Sequence, residues 1–155
     1  GVLFRGNEEG RIREKLVKSD LVEAIVTLGA KPFYGTGLSP CFMILRRLKP
    51  ASHSARVLMV DGTKILTAKR AQNILSPEDV DRLYELYCKY EDIEDFSKVV
   101  TIDDIAAKGY DLSPNKYVNY HKEEIRPYAE VLAEFKAAYE EVLKREAEFE
   151  KLINA

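Results

Sequence analysis

Cysteine is scarce in this 155-residue chain, and Cys41 and Cys88 are the only two. One lies in an apolar stretch predicted as a strand, the other on a predicted helix. The expectation is two buried thiols in a reducing compartment, with no disulfide framework. Histidine is equally rare. His53 and His121 stand far from either cysteine and lack metal-ligand spacing, so the pattern holds no zinc site and no Cys–His catalytic pair. No apolar run approaches the ~18–20 residues that cross a membrane, no secretory leader is recognised, and the expected location is the cytoplasm. Charge of one sign is missing too. With 24 Lys and Arg against 26 Asp and Glu, the formal net charge is −2. No global field favours nucleic acid, and phosphate contacts would have to come from local clusters such as Arg46, Arg47 and Lys49, or Lys64, Lys69 and Arg70. Catalytic signatures are absent as well. There is no Gly-x-Gly-x-x-Gly after a strand, no phosphate loop ending in Gly-Lys-Ser/Thr, and no Gly-x-Ser-x-Gly elbow.

What is present belongs to a folded domain with a real core, at 46% hydrophobic and 32% charged residues. The first half reads as α/β. Asn7 is a candidate helix cap, Glu8 and Glu9 suit the positive end of a helix, and Ile12, Leu16 and Val17 form one apolar face. That helix should stop near Ser19 and Asp20. Residues 21–28 are apolar and β-branched, as in a strand. Residues 41–45 are nearly all apolar, as in a strand covered on both faces. Residues 56–60 form another short strand, ended by the turn pair Asp61-Gly62. Asp61 is the one acid placed at a strand end, where α/β sites are often lined, although a turn-forming Asp-Gly is the expected role.

The middle of the chain opens a helix at Ser76-Pro77-Glu78-Asp79, with a capping serine, proline at the first position and early acids. Val80, Leu83, Tyr84 and Tyr87 should share its buried face. A strand over residues 96–102, a helical turn over 103–107 and an irregular segment over 109–117 follow. From Pro127 onward the composition shifts to Ala, Glu, Lys and Leu, with no glycine and no further proline. Tyr128, Leu132, Phe135, Tyr139, Val142, Phe149 and Ile153 recur at steps of four and three, broken only at Glu146. A helix of about 26 residues would be about 39 Å long, more than the domain needs for its own core. It is expected to be a coiled-coil or bundle arm that docks on another chain or domain.

Between the first two strands lies Pro32-Phe33-Tyr34-Gly35-Thr36-Gly37-Leu38-Ser39-Pro40. It sets two adjacent aromatics on a glycine-punctuated loop. Exposed rings on such a loop suit stacking on a flat ligand, a nucleobase being one candidate. The alternative is a hydrophobic hairpin whose rings fill a core.

Taken in order, Gly1-Val2-Leu3-Phe4-Arg5-Gly6, the helix with Ile12-Arg13-Glu14-Lys15-Leu16, the strand 21–28 and Phe33-Tyr34-Gly35-Thr36-Gly37-Leu38-Ser39-Pro40-Cys41 resemble a known family. It is the modification (methyltransferase) subunit of type I restriction-modification systems, an adenine-N6 DNA methyltransferase. Residues 57–62, the helix after Ser76-Pro77, residues 99–105 and Tyr110-Asp111-Leu112-Ser113-Pro114-Asn115-Lys116-Tyr117 extend the likeness to about Val118. The resemblance implies the C-terminal part of a Rossmann-like, S-adenosyl-L-methionine-dependent α/β sheet, its edge strands and last helix, followed by a long C-terminal helix. It implies three stretches: 1–62 from the methyltransferase domain, 63–126 as a helical and irregular connector, and 127–155 as the docking helix.

The family's glycine-rich cofactor motif and its Asn-Pro-Pro-Phe/Tyr motif do not occur in these residues. Both would precede Gly1. The implied intact protein methylates adenine in DNA beside a specificity subunit and a restriction subunit, while this fragment would be inactive and hold no cofactor. Phe33, with Tyr34 adjacent, matches the aromatic that packs against the extruded adenine. Gly35, Thr36 and Gly37 would shape the loop. Two strands taken from a seven-stranded sheet would leave an open edge and a bare apolar face, so self-association is expected. The alternative is a non-catalytic α/β interaction module with a coiled-coil arm.

Overall fold

The computed structural model describes residues 1–33, 36–67, 73–121 and 127–153. Two compact units divide it, Gly1–His121 and Lys122–Ala155. In the first, helix α1 (Asn7–Lys18) precedes strands β1 (Val22–Leu28), β2 (Cys41–Leu45) and β3 (Arg56–Gly62). Helix α2 (Pro77–Lys89), strand β4 (Ser97–Thr101) and the short helix α3 (Ile102–Ala107) follow. The strands form one four-stranded sheet in the order β2-β1-β3-β4. β1 and β3 run parallel, and the outer strands pair antiparallel to them.

The inner strands β1 and β3 are covered on both sides, which is why they are nearly continuous in apolar residues. Ile25, Val57, Met59 and Val100 pack with Val17 of α1, Ile105 of α3 and Leu3, Leu112 and Tyr117. Ala24, Val26, Leu28, Leu58 and Val60 pack on the opposite side with Leu86 of α2 and Ile65. More strands pair than the two expected, and over β1 and β3 no apolar face is left bare.

Several local expectations need correction. Asn7 is not the cap of α1. Gly6 holds that place without a side-chain bond, and Asn7 itself has a left-handed φ of 54°. Ile12 is exposed, while Arg13 is buried. The Arg13 guanidinium reaches inward because three main-chain carbonyls receive it, Val2 at 2.9 Å, Arg5 at 2.6 Å and Tyr110 at 3.0 Å. β2 is not covered on both faces; it is an edge strand, and Phe42 and Leu45 are exposed. β3 does not end before Asp61. Asp61 and Gly62 still pair with Thr27 and Leu28, and the chain turns only afterwards. A Cβ on Gly62 would sit 2.6 Å from the Thr27 carbonyl oxygen and 2.7 Å from Leu83, so the glycine permits the close approach of β1 and α2.

Helix α2 starts as the sequence indicates, with a reciprocal capping box between Ser76 and Asp79. Its buried side is rotated from the expected one. Leu83, Leu86 and Tyr87 face the sheet, while Val80 and Tyr84 are exposed. Cys88 is exposed as well, and Cys41 is half-buried, so the thiols are not both interior.

The second unit is described through helix α4, Tyr128–Ile153, 26 residues long. Tyr128, Phe135, Tyr139, Val142 and Phe149 on it are exposed, and Leu132 is half-buried. Among the described residues no helix is long and apolar enough to cross a membrane.

Candidate functional site

Because β1 and β3 are parallel, their C-terminal ends lie side by side, and β2 begins there too, with Thr27 paired to both Cys41 and Asp61. Crevices outside such strand ends are where α/β sheets place ligands. Residues 29–40 leave β1 at this end and return as β2.

The loop is seated at its base. A Cβ on Gly29 would lie 1.7 Å from a methyl of Leu66, so glycine lets the loop start press against that side chain. Lys31 follows with a φ of 61°, a left-handed conformation uncommon outside glycine. Phe33 comes next, 61% exposed. Tyr34 and Gly35 lie outside the described residues. The Thr36 hydroxyl accepts a bond from the Leu38 amide at 3.2 Å, which shapes the return. Gly37 has no such need, since an added Cβ there would meet nothing within 4 Å.

Phe33 and Phe42 both border an apolar cleft of about 550 Å³, walled by Leu28, Pro32, Pro40, Cys41, Asn73, Ile74 and Leu75. This size and lining suit a small planar ligand. The sequence reading of a core-filling hairpin does not hold for Phe33, whose ring is turned outward.

A second cleft, about 370 Å³, opens on the α1 side of the same strand ends, lined by Leu3, Phe4, Thr27, Ser39, Cys41, Asp61, Thr63, Pro114 and Asn115 among others. Asp61 is buried within it. Its carboxylate accepts bonds from the Thr63 amide at 3.0 Å, the Thr27 hydroxyl at 3.4 Å and the Tyr120 hydroxyl. Burial pushes its pKa up, but the bonds from Thr63, Tyr120 and Thr27 outweigh burial and hold the carboxyl below the usual range. Tyr120 is raised in turn, by desolvation and then by its bond to that carboxylate. Asp61 is thus both strand residue and turn former, and its oxygens are engaged within the protein.

The opposite end of the sheet engages two members of the first basic cluster named from the sequence, Arg46 and Lys49, while Arg47 is exposed. Arg46 Nε lies 2.8 Å from buried Glu23, and Lys49 Nζ lies 2.5 Å from Asp20 and 2.8 Å from the Arg56 carbonyl. Glu23 also accepts from the Tyr87 hydroxyl at 2.9 Å and meets His53 Nδ1 at 3.2 Å. His53 stacks on Tyr90 with ring centroids 3.6 Å apart. Burial first, then the charges of Glu23 and Asp20, push the Tyr90 hydroxyl up to about 12. Arg46 and Lys49 are therefore spent on internal partners rather than offered to phosphate. Lys69 and Arg70 lie outside the described residues. No cluster suited to a metal ion occurs among the described residues. The one signal in the sequence for the burial of Glu23 is its place as a carboxylate inside an otherwise apolar strand.

Residues 1–125 match the N-6 DNA Methylase family. Two methylase subunits of type I restriction enzymes from Methanocaldococcus jannaschii are similar to this chain. The MjaVII subunit is 36% identical over 121 residues, which cover 76% of this chain and 21% of that protein. The MjaIX subunit is 35% identical over 163 residues, with 99% and 29% covered. The crystal structure of a type I restriction-modification system methyltransferase subunit from Streptococcus thermophilus matches with a TM-score of 0.71 and 28% identity, over 77% of this chain and 25% of that one. That likeness places the sheet in the Rossmann-like methyltransferase fold. A structure described for complex assembly and conformational transition of the type I system covers 99% of this chain and 34% of its own, at TM-score 0.56 and 18% identity, and bears on fold alone. The chain thus spans between about a fifth and a third of the length of these relatives.

Proposed function

This chain belongs to the N-6 DNA methylase family, and on that premise we propose that it is the target-base and docking portion of a subunit that moves a methyl group from S-adenosyl-L-methionine to adenine N6 in DNA. The observation that carries this reading is Phe33, an exposed ring on a seated loop, beside an apolar cleft at the open end of parallel strands. Extruding a base from a duplex costs a few kcal/mol, and a waiting aromatic face offsets part of that. Phe33 is the stacking ring, with Tyr34 beside it in sequence.

The lining of the smaller cleft supports a place for the cofactor elsewhere in the whole protein. In the 370 Å³ cleft the Asp61 oxygens already accept from Thr27, Thr63 and Tyr120. Asp61 is the one carboxylate in that lining, so ribose hydroxyls would meet an acceptor already engaged. In this reading the cofactor and the amino-group-holding motif belong to residues outside these 155, and the chain alone neither binds the cofactor tightly nor methylates. Residues 1–62 carry the base-facing part, 63–126 connect, and 127–155 dock on a specificity subunit, with a restriction subunit joining the same assembly. The exposed apolar stripe of α4 supports the docking role. Work on DNA within the cell makes the cytoplasm its place.

The test is Phe33→Ala in the whole protein with its specificity subunit. Base–aromatic stacking is worth about 1–3 kcal/mol, so methylation should fall by roughly 5- to 150-fold. Emission from a 2-aminopurine placed at the target position should change with it. Full activity and an unaltered 2-aminopurine response would remove Phe33 from the site.

A further inference from the structure

We propose that Asn73 is a positioning residue for the aromatic loop, holding Phe33 at the angle from which it meets the everted base; this inference rests on the base-contact reading of Phe33. Asn73 binds the loop base twice. Its side-chain Nδ2 donates to the Ala30 carbonyl at 2.8 Å, and its main-chain amide donates to the Lys31 carbonyl at 3.0 Å. Phe33 follows two residues later. Lys31 has a φ of 61° and stays in that left-handed conformation only where its surroundings over-determine it. Two bonds from one residue onto consecutive carbonyls do so.

Asn73 is itself fixed by a relay that starts in a helix. Ile74 and Thr67 exchange main-chain bonds of 3.0 and 2.9 Å, and the Thr67 hydroxyl donates to Asp79 at 3.1 Å. Asp79 in turn belongs to the capping box of α2, accepting from the Ser76 amide at 2.9 Å. The contacts run from the α2 start through Thr67 and Ile74 to Asn73, then to Ala30 and Lys31. A ring held before its ligand arrives loses less freedom on binding than one on a free loop. Phe33 is exposed, so its orientation depends on what grips the residues just before it.

The test uses the whole protein with its specificity subunit, S-adenosyl-L-methionine and DNA carrying 2-aminopurine at the target position. Asn73→Ala and Asn73→Asp both remove the donor to Ala30 while leaving the main-chain amide. Each should lower kcat by about 5- to 30-fold, weaken the 2-aminopurine response, and leave KM for the cofactor unchanged. Asn73→His keeps a ring nitrogen in the place of Nδ2 and should restore most of both signals. Amide hydrogen exchange should quicken at residue 73, whose main-chain amide donates to the Lys31 carbonyl, in Asn73→Ala while residues 22–28 keep their protection. Phe33→Ala is run in parallel. If Phe33→Ala lowers both signals and the Asn73 variants lower neither, the Asn73 proposal falls and the base-contact reading stands. If Phe33→Ala changes nothing, the base-contact reading falls and takes the proposal with it. Asn73→Ala that fails to fold, or that loses protection across 22–28, would make Asn73 a core residue and overturn the proposal.

Discussion

At the end of the sheet where β1 and β3 finish, Phe33 and Phe42 stand exposed above open clefts. At the end where they begin, Glu23, Arg46, His53, Tyr87 and Tyr90 close on one another. The same strands serve both ends. The closed end collects charged and polar side chains and satisfies them internally, whereas the open end leaves apolar rings without cover. Residue type alone would have assigned these roles the other way, with arginine and lysine for a nucleic-acid contact and phenylalanine for the core. The placement of partners decides the matter. A buried carboxylate claims the nearest cations, and the rings of Phe33 and Phe42 are left exposed at the other end.

Three measurements would break or sharpen this contrast. The largest effect belongs to the closed end. Arg46→Ala leaves Glu23 buried without its strongest cation, and breaking a fully buried pair costs about 3–5 kcal/mol. The Arg46 side chain is 43% exposed, so solvent screening reduces this to about 2–3 kcal/mol. Denaturant titration should show that loss, and an unchanged midpoint would mean that the network contributes nothing. The second concerns Asp61 at the open end. Its carboxyl is held below the ordinary value of 3.8, so as pH falls the unfolded chain takes up the proton first. The stabilisation is complete above that value and is lost as pH drops through the lower, folded one. Asp61→Asn should therefore flatten the decline in stability below about pH 4, and identical acid titrations of the two proteins would contradict it. The smallest effect on stability is expected from Phe42→Lys on edge strand β2, within about 0.5 kcal/mol because the ring is exposed. Light scattering should nevertheless show less self-association than in the parent chain, since a lysine on an open edge discourages strand pairing. Equal masses for both would rule out β2 as the contact.

Much of the fold was legible because its signals are local. Ser76, Pro77 and Asp79 announce the start of α2, the run from Cys41 to Leu45 matches β2 end to end, and the four-three spacing marks the 26 residues of α4. What could not be read depends on residues that meet only after folding. Ile12 and Arg13 differ by one position, yet Arg13 is the buried one because carbonyls of Val2, Arg5 and Tyr110 converge on it. Tyr84 and Leu86 both fit an apolar helix face, and the direction of the sheet beneath chooses Leu86. The aromatic loop was visible as a motif, while its grip by Asn73, 43 positions away from Ala30, was not.

Arg13 also bears on how the chain holds together. Its guanidinium joins residues 2, 5 and 110 through carbonyls alone, a cross-link that needs no oxidant and resists any reductant. A lysine has one compact ammonium in place of the planar fork and could not span the same three oxygens. One side chain therefore ties the stretch from Val2 to Arg5 to Tyr110, a residue more than ninety positions downstream of Arg13.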